Sequence, residues 1–481
     1  MTTIGGQAAD ANAQDGTMGT VGGVAASCPN TALEIGVFFD GTGNNSANVI
    51  AGPSFMSGSS YSAARTNVAL LSDLYKQKVD QWEQDGTGYC RKFDMLYVQG
   101  IGTTADTSDY RPDNLTGTIN GMGPTGVESR VFQACIDLGQ KITLLSGGAE
   151  PTEIIVDVFG FSRGAAAARY FVNCFRQGFI QYNAVDWSIF EGSHVDERRA
   201  FVPEGRNLRF RFVGIFDTVA AIGWADDDDN GPVNVHCSTA QADRIFHLTA
   251  ANEFRKNFRL NHNVPGGGDT REMPGAHSDV GGGYTSGPEN HLLEEAEDHS
   301  FYTREAAEAA RAADVAAAQA AQTDLNSFFV EEGWIEPGNP SGALQNMPTE
   351  IVERRLPGIA GLTSGRTYTY TTSTRMVRDQ VNAGLSRIPL RIMYDAARAT
   401  GVPFGAYPSG DTQYAPPDGL PAGVADRMIA GGEPSEAERR TMLQGWGHIS
   451  SRLNSVQDRL GHAPDEDFER VIYYNNAGAA K

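Results

Sequence analysis

The sequence has few basic side chains and no long apolar run. Its 481 residues include 38 Lys and Arg against 59 Asp and Glu, so the formal net charge is −21. A chain this acidic lacks the basic surface that binds a phosphate backbone, so nucleic acid is not an expected partner. A transmembrane helix needs about 18 or more consecutive apolar residues. No stretch approaches that length, so no membrane-spanning helix is expected.

Cysteine is also scarce, and no two cysteines form a CxxC pair. This spacing favours free thiols in a reducing cytoplasm and gives no metal-binding pattern. The five cysteines are Cys28, Cys90, Cys135, Cys174 and Cys237.

The first 31 residues contain no Lys or Arg. They also lack the continuous apolar segment of a secretory signal, so no signal peptide is expected. Their richness in Gly, Ala and Thr predicts a flexible tail over residues 1–31.

Four short apolar runs end in Gly or Asp, and helical patterns lie between them. The runs are too short and too rich in β-branched and aromatic residues for buried helices, so they predict strands. The alternation predicts an α/β fold, a mostly parallel sheet flanked by helices, with reactive groups beyond the carboxyl ends of the strands. The runs are "EIGVFFDGTGNN" from Glu34, "FDMLYVQGIGT" from Phe93, "EIIVDVFGFSRG" from Glu153 and "LRFRFVGIFDTVA" from Leu208.

The pattern changes after about residue 287. An Ala-rich helical stretch begins at Phe301, and a connector rich in Pro and Gly follows it. The expected organisation is a catalytic core over residues 32–288, a helical insertion or cap over 289–364, and a C-terminal part of the core over 365–481. An amphipathic helix starting near Leu385 belongs to that last part.

One pentapeptide, Gly160-Phe161-Ser162-Arg163-Gly164, matches the pattern G-x-S-x-G. In this pattern a sharp strand-to-helix turn strains the serine and exposes its hydroxyl. The apolar run before it and the small residues after it supply the strand and helix that the turn requires. We therefore predict that Ser162 is a nucleophile, and the alternative is a serine that only caps a helix.

A nucleophilic serine needs a base, and the base needs an acid to orient it. In this fold the expected chain order is serine, acid, histidine. Asp217 ends a predicted strand, and His277 precedes a run of three glycines that permits close backbone approach. His448 is the alternative base and Asp279 the alternative acid.

The tetrahedral intermediate of acyl transfer needs two backbone donors. The amide of Arg163, just after the serine, is one candidate. Gly41 or Thr42, in the loop "FFDGTGNN", would supply the other, although this loop is also compatible with an ordinary tight turn. The acidic run Asp226–Asp229 is expected to be a solvated loop rather than a divalent-ion site. No metal or other cofactor is expected.

The motifs together resemble the α/β-hydrolase phospholipase effectors of bacterial type VI secretion. The matching stretches run from about residue 35 to residue 405 and include "VFFDGTGNN", "RTNVALL", "YVQGIGT", "GFSRGAAAAR", "GIFDTVA", "HLTAANEFRKNF" and "PGAHSDVGGGY". The resemblance implies an α/β-hydrolase-like fold and a triad of Ser162, Asp217 and His277 that cleaves phospholipid acyl esters.

The resemblance also implies a biological setting. The protein would be an antibacterial toxin made in the bacterial cytoplasm and secreted by the type VI machinery. It would act on phospholipid membranes, in the target-cell periplasm, and would have a secretion spike or tube component and an immunity protein as partners. Two alternatives stay open, a soluble carboxylesterase acting on small esters and a non-catalytic effector or adaptor. The sequence leaves the acyl position, sn-1 or sn-2, and the head group undetermined.

Overall fold

The structure is a computed structural model that describes residues 29–53, 58–177, 179–185, 194–200, 207–222, 233–293, 297–336, 344–346, 349–355 and 365–475. Most of the predicted tail and the whole Asp226–Asp229 run lie outside the described residues. The strands are β1 (Asn30–Phe39), β2 (Lys78–Gln84), β3 (Tyr89–Val98), β4 (Glu153–Phe161), β5 (Phe179–Val185), β6 (His194–Ala200), β7 (Leu208–Phe216), β8 (Arg244–Ala250), β9 (Leu260–Asn261), β10 (Asp269–Met273), β11 (Gly287–Leu292), β12 (Glu297–Phe301), β13 (Leu344–Asn346), β14 (Val352–Arg355), β15 (Arg366–Thr372), β16 (Thr374–Val381) and β17 (Ile472–Tyr473).

The helices alternate with the strands through the first half of the chain. They are α1 (Ser46–Ala51), α2 (Asn67–Leu74), α3 (Pro112–Asn120), α4 (Val127–Ser146), α5 (Arg163–Gln177), α6 (His277–Gly281), α7 (Arg304–Glu332), α8 (Arg387–Ala399), α9 (Val424–Ile429), α10 (Glu436–Gly445) and α11 (Val456–Gly461), with a 3₁₀ turn at Ser59–Tyr61.

The main sheet of the described chain has seven strands in the order β10-β8-β7-β4-β1-β3-β2. Every neighbouring pair is parallel except β2 with β3, an antiparallel pair at the edge. The four predicted strands are β1, β3, β4 and β7, which lie side by side. The prediction of a mostly parallel sheet flanked by helices is therefore confirmed.

Buried side chains alternate between the two faces of the central strands. On β4, Val156 and Val158 belong to the core beneath α4 and α5, whereas Phe159 and Phe161 belong to the core beneath α2 and α8. Burial of both faces explains why this strand reads as a continuous apolar run.

Two sequence expectations differ from the structure. Helical patterns are expected between the predicted strands, but after the first of them helix α2 ends at Leu74, and Lys78–Gln84 forms the edge strand β2. Cys90 is disulfide-bonded, so the expectation of free thiols is wrong at that position. Cys135, Cys174 and Cys237 are free and buried.

The segment expected to be a helical insertion contains the long helix α7 together with short strands. One of these, β13, pairs with β16 of the C-terminal part, and β14 pairs with β15. Phe329 and Trp334 share a hydrophobic cluster with Leu443 from the C-terminal part. The domain boundaries drawn from the sequence stay predictions. Within the described residues, no helix has the length and apolar character needed to cross a membrane.

Candidate active site

Ser162 lies at the turn between β4 and α5, in a backbone conformation that L-residues rarely adopt. Its φ angle is 59°, in the left-handed region. The turn is held by the Ser162 amide, which donates to the Phe216 carbonyl at 3.1 Å, and by the Ser162 carbonyl, which accepts from Ala165 at 2.9 Å. Strain of this kind persists where the surrounding structure fixes the backbone, and such positions cluster at functional sites.

The glycines on either side of Ser162 are required by close backbone contacts. A Cβ atom at Gly160 would lie 2.4 Å from the Gly164 carbonyl oxygen. A Cβ atom at Gly164 would lie 2.4 Å from the carbonyl oxygens of Phe39 and Asp40. The first turn of α5 therefore lies directly against the end of β1, and the buried alanines 165–168 continue this close approach.

Asp217 follows β7, the neighbour of β4, and it is fully buried. The register pairs Phe161 with Phe216, so Ser162 and Asp217 are the next residues of two adjacent parallel strands. Asp217 also has a positive φ, 39°. Two strained non-glycine residues thus occur side by side at the carboxyl end of the sheet.

His277 opens α6, after β10, and its imidazole is hydrogen-bonded to Asp217. The Nδ1 atom of His277 lies 2.5 Å from Oδ2 of Asp217. The imidazole ring also packs between Phe161 and Phe258, at centroid distances of 4.6 and 4.9 Å. Because Phe161 directly precedes Ser162, the histidine lies beside the strained turn.

Further hydrogen bonds hold the backbone of His277. Its amide donates to Oε2 of Glu253 at 3.2 Å. Glu253 is paired with Arg255 at 2.8 Å and accepts the hydroxyl of Ser450 at 2.8 Å. The Arg255 guanidinium in turn lies 3.1 Å above the ring of Phe258. These contacts fix both the backbone and one face of the imidazole.

The charges around the pair keep Asp217 ionised and His277 neutral. Burial raises the pKa of Asp217, but the charge of Arg470 and the hydrogen bond from His277 outweigh it and hold the pKa below its usual range. Burial lowers the pKa of His277, and Arg255 lowers it further; the hydrogen bond to Asp217 only partly opposes this. A neutral imidazole beside an ionised carboxylate is able to accept a proton near neutral pH.

The alternative base and the alternative acid pair with each other. His448 Nδ1 lies 2.9 Å from Oδ1 of Asp279, and the His448 amide donates to Oδ2 of Asp279 at 2.8 Å. The ring of Tyr284 stacks on His448 at 4.2 Å. Burial lowers the pKa of His448, but Asp279 and Glu289 raise it by more, so that the net pKa is above its usual range.

The loop after β1 lies beside the turn that carries Ser162. Asp40 is buried and accepts hydrogen bonds from Thr66 at 2.6 Å, Tyr97 at 2.5 Å and the Gly41 amide at 2.7 Å. A Cβ atom at Gly41 would lie 2.5 Å from the ring of Phe161. The hydroxyl of Thr42 is buried and has no hydrogen-bond partner among the described residues. Of the two loop candidates, Gly41 already uses its amide within the loop.

The side chain of Arg163 is directed toward α3. Its guanidinium donates to the carbonyls of Gly117 at 3.0 Å and Thr118 at 2.7 Å. Burial lowers its pKa to about 10. These contacts of the side chain hold Arg163, whose backbone amide is a candidate donor to the oxyanion.

Sequence reasoning missed several residues of the site. Phe161, Phe258 and Glu253 lie inside the motifs that carried the resemblance, but no pattern assigned them a contact with His277. Arg470 binds Asp217 and lies in a segment without a motif. Residues 253 positions apart carry no sequence signal of their contact.

Comparisons with known proteins agree with this architecture. A model of the catalytic domain of Tle1-like phospholipase effectors of type VI secretion matches residues 34–302. Among solved structures, that of a Tle1 effector bound to the VgrG spike of the type 6 secretion system is similar, with a TM-score of 0.65 and 22% identity. The match covers 92% of this chain and 94% of that one. It confirms the α/β-hydrolase-like fold.

A second solved structure, an uncharacterised protein from Pseudomonas aeruginosa, is 18% identical with a TM-score of 0.39. It covers 86% of this chain and 53% of that one, and a score this low does not establish a common fold. No curated protein matches the chain.

Proposed function

The chain belongs to the Tle1-like phospholipase effectors of type VI secretion, and we propose that it is a phospholipase A-type enzyme that uses Ser162 as nucleophile, His277 as base and Asp217 as orienting acid. The observation that carries the proposal is the buried hydrogen bond between Asp217 and His277 beside the strained Ser162 turn. An ester hydrolase of this family needs an activated nucleophile, and this arrangement supplies the parts of one.

In the proposed reaction, His277 takes the proton of the Ser162 hydroxyl as its oxygen attacks the acyl carbonyl. Asp217 holds the Nδ1 proton, which leaves Nε2 as the basic atom, and stabilises the imidazolium that forms. His277 then gives its proton to the leaving alcohol, and the fatty acyl group remains on Ser162. Water activated by the same histidine attacks the acyl-enzyme and releases the fatty acid. General-base assistance of this kind contributes about 100- to 10,000-fold in rate.

Backbone amides would stabilise the oxyanion of the tetrahedral intermediate. The proposed donors are the amide of Arg163, at the first position of α5, and an amide of the loop after β1. Thr42 is the preferred loop donor, because the Gly41 amide already donates to Asp40. The positive end of the α5 dipole favours charge at the same place.

His277 is preferred to His448 as the base for a geometric reason. His277 contacts Phe161, the neighbour of Ser162, and shares a hydrogen bond with the acid at the tip of the adjacent strand. His448 instead pairs with Asp279, which lies in the helix that His277 opens. We propose that His448 and Asp279 support this helix.

The setting proposed for the enzyme is interbacterial. We propose that it is delivered by the type VI machinery into the periplasm of a rival bacterium, where it degrades membrane phospholipids. The related Tle1 effector is described as bound to the VgrG spike, which supports a spike protein as the carrier of this chain. A toxin of this kind also requires an immunity protein in the producing cell. Expression with and without an added periplasmic signal tests the compartment, and equal toxicity in both would contradict it.

The substrate class is tested by comparing two esters. Fatty-acid release from phospholipid vesicles and hydrolysis of a short soluble ester would be measured for the wild-type protein and Ser162→Ala. Release from vesicles that Ser162→Ala abolishes supports the phospholipase. Hydrolysis of the short ester alone would favour the soluble carboxylesterase, and the absence of both would favour the non-catalytic adaptor.

A further inference from the structure

A C-terminal strap, residues 465–475, packs along residues 254–264: the Asp465 amide donates to the Phe254 carbonyl and the Asn475 amide to the Val264 carbonyl. Its strand β17 pairs in parallel with β9. At its end the side chain of Asn475 donates to the carbonyls of Cys237 at 2.7 Å and Pro265 at 2.8 Å. The family model ends at residue 302, so the strap lies well outside the matched residues.

One side chain of the strap, Arg470, reaches the acid of the proposed triad. Its Nη1 atom lies 2.8 Å from Oδ1 of Asp217, and its Nη2 atom lies 2.9 Å from Oδ2. Its Nε atom donates to the Phe258 carbonyl at 2.7 Å. The pair is buried, with the Arg470 side chain 8% exposed and that of Asp217 fully buried.

Because Arg470 binds both of them, each carboxylate oxygen of Asp217 accepts two hydrogen bonds. Oδ1 accepts from Ala250 and Arg470, and Oδ2 accepts from His277 and Arg470. A planar guanidinium that binds both oxygens fixes the plane of the carboxylate, which a single ammonium does not do. His277 and Arg470 therefore share one oxygen whose direction Arg470 sets.

We propose that Arg470 is a positioning residue for the reaction, which holds Asp217 in the plane that orients His277 and limits how strongly Asp217 attracts a proton onto His277. The inference rests on the proposed function, because it presupposes that His277 is the base. It makes the C-terminal strap a part of the active site.

The charge of Arg470 affects how readily His277 binds a proton. The charged groups that act on His277 are Asp217 after β7 and Glu253 and Arg255 after β8, and Arg470 on the strap binds Asp217. Arg470 lies nearest the oxygen that accepts the Nδ1 proton, so its positive charge offsets the carboxylate there. Without it, the imidazolium gains stability and His277 remains protonated up to a higher pH.

A positive charge at position 470 is not expected to be enough to orient Asp217. Arg470→Lys keeps a cation but loses the fork that binds both oxygens, so the carboxylate is free to turn. A displacement of about 1 Å at a catalytic group costs on the order of 100-fold in rate. The β17–β9 pairing and the Asn475 contacts of the strap do not involve the Arg470 side chain, so a substitution there leaves these contacts available.

The test uses the full chain with Arg470→Gln, Arg470→Lys and, as a control, Arg452→Gln, which removes another ion-paired arginine of the C-terminal part of the chain. Arg452 pairs with Asp458 at 2.6 Å and does not belong to the site. Two readouts are taken. One is kcat/KM for ester hydrolysis across mildly acidic to mildly alkaline pH. The other is the titration of the His277 imidazole by NMR of histidine-labelled protein, with His277→Gln identifying its signal.

We expect Arg470→Gln to lower the rate by about 100-fold and to raise the pH at which His277 titrates by about one unit. Arg470→Lys should lower the rate while leaving the titration near that of the wild type, and Arg452→Gln should change neither. If His277 titrates at the same pH in folded Arg470→Gln as in the wild type, the claim that the charge of Arg470 limits protonation of His277 is overturned. Wild-type turnover in Arg470→Lys would overturn the claim that the guanidinium orients Asp217. Arg470→Lys tests this claim even if Arg470→Gln does not fold. The NMR readout needs no turnover, so absence of ester hydrolysis contradicts the proposed function without affecting this result.

Discussion

The imidazole of His277 packs against the ring of Phe161, with centroids 4.6 Å apart and ring planes at 34°. Phe161 directly precedes Ser162 in the chain. The contact therefore joins the proposed base to the turn that carries the proposed nucleophile, although the two lie on different strand ends. Phe258 also contacts the imidazole, with centroids 4.9 Å apart, so the position of His277 depends on packing as well as on its hydrogen bond.

Gly281→Ala should disturb this packing. A Cβ atom at Gly281 would lie 2.1 Å from the ring of Phe161, so the ring or α6 must move. Overpacking of this kind costs about 1–3 kcal/mol in the free energy of unfolding. We expect kcat to fall on the order of 100-fold, because a small displacement of the base is costly.

The matched control for that substitution is Gly287→Ala, at the start of β11, where an added Cβ meets no atom within 4 Å. Urea unfolding and steady-state hydrolysis would be measured for both variants. Equal activity of Gly281→Ala and Gly287→Ala would contradict the role given to the Phe161 contact.

Asp217→Asn should lower kcat by about 10,000-fold, since an amide does not hold the imidazole in the required tautomer. It also leaves Arg470 without its buried partner, which destabilises a protein by about 3–5 kcal/mol. The measurement is kcat on a soluble ester together with the midpoint of urea unfolding. Asp243→Asn is the control, because Asp243 pairs with Arg209 near the surface. A loss of stability with unchanged kcat would contradict the proposed role of Asp217.

Two alanine variants test whether His277 or His448 is the base. His277→Ala should abolish hydrolysis, because it removes the only proton acceptor that the proposed mechanism uses. His448→Ala should reduce kcat by a smaller factor, since it removes the imidazole contact to Asp279 that supports α6 and keeps the contact of the backbone amide. The reverse order of the two effects would assign the base to His448.

Stability should fall as the pH drops below about 6.5, the value at which an unperturbed histidine titrates. His247 is fully buried, its Nε2 atom accepts from the Thr218 amide at 3.2 Å, and burial together with Arg169 holds its pKa well below the usual value. Below the unfolded pKa the unfolded chain binds a proton that the folded chain does not. This group therefore destabilises the fold by about 1.4 kcal/mol per pH unit until the folded pKa is reached.

His448 has the opposite sign, because its folded pKa is raised. Its contribution is fully present below the unfolded pKa and is lost as the pH rises through the folded value. Urea midpoints at several pH values would be compared for the wild type, His247→Gln and His448→Gln. As the pH falls, we expect the urea midpoint to decrease less steeply in His247→Gln than in the wild type, and more steeply in His448→Gln. Identical pH profiles for all three proteins would contradict the assignment.

The sequence was most informative where chemistry depends on neighbours in the chain. The glycines around Ser162 and the apolar run before it predict the strained turn, because both are local requirements of the backbone. Asp217 is predicted from its place at the end of a predicted strand and His277 from the glycine run that follows it, both with the chain order serine, acid, histidine, and their catalytic roles stay predictions.

Contacts between distant segments could not be predicted in this way. Arg470 binds Asp217 from a part of the chain with no motif, and the pairing of β17 with β9 that brings it there involves two residues on each strand. The edge strand β2 was missed for a different reason. Its residues Lys78–Gln84 are mostly polar and largely exposed, so they lack the alternating pattern of a half-buried strand.

Covalent labelling distinguishes a nucleophilic Ser162 from a serine that only caps a helix. A fluorophosphonate, which modifies only an activated serine, would be added to the full chain, and the modified residue would be identified by peptide mass spectrometry. We predict a single adduct on Ser162 that forms rapidly in the wild type and is absent from His277→Ala. An adduct on another residue, or an unmodified Ser162 in protein that still hydrolyses esters, would contradict the account.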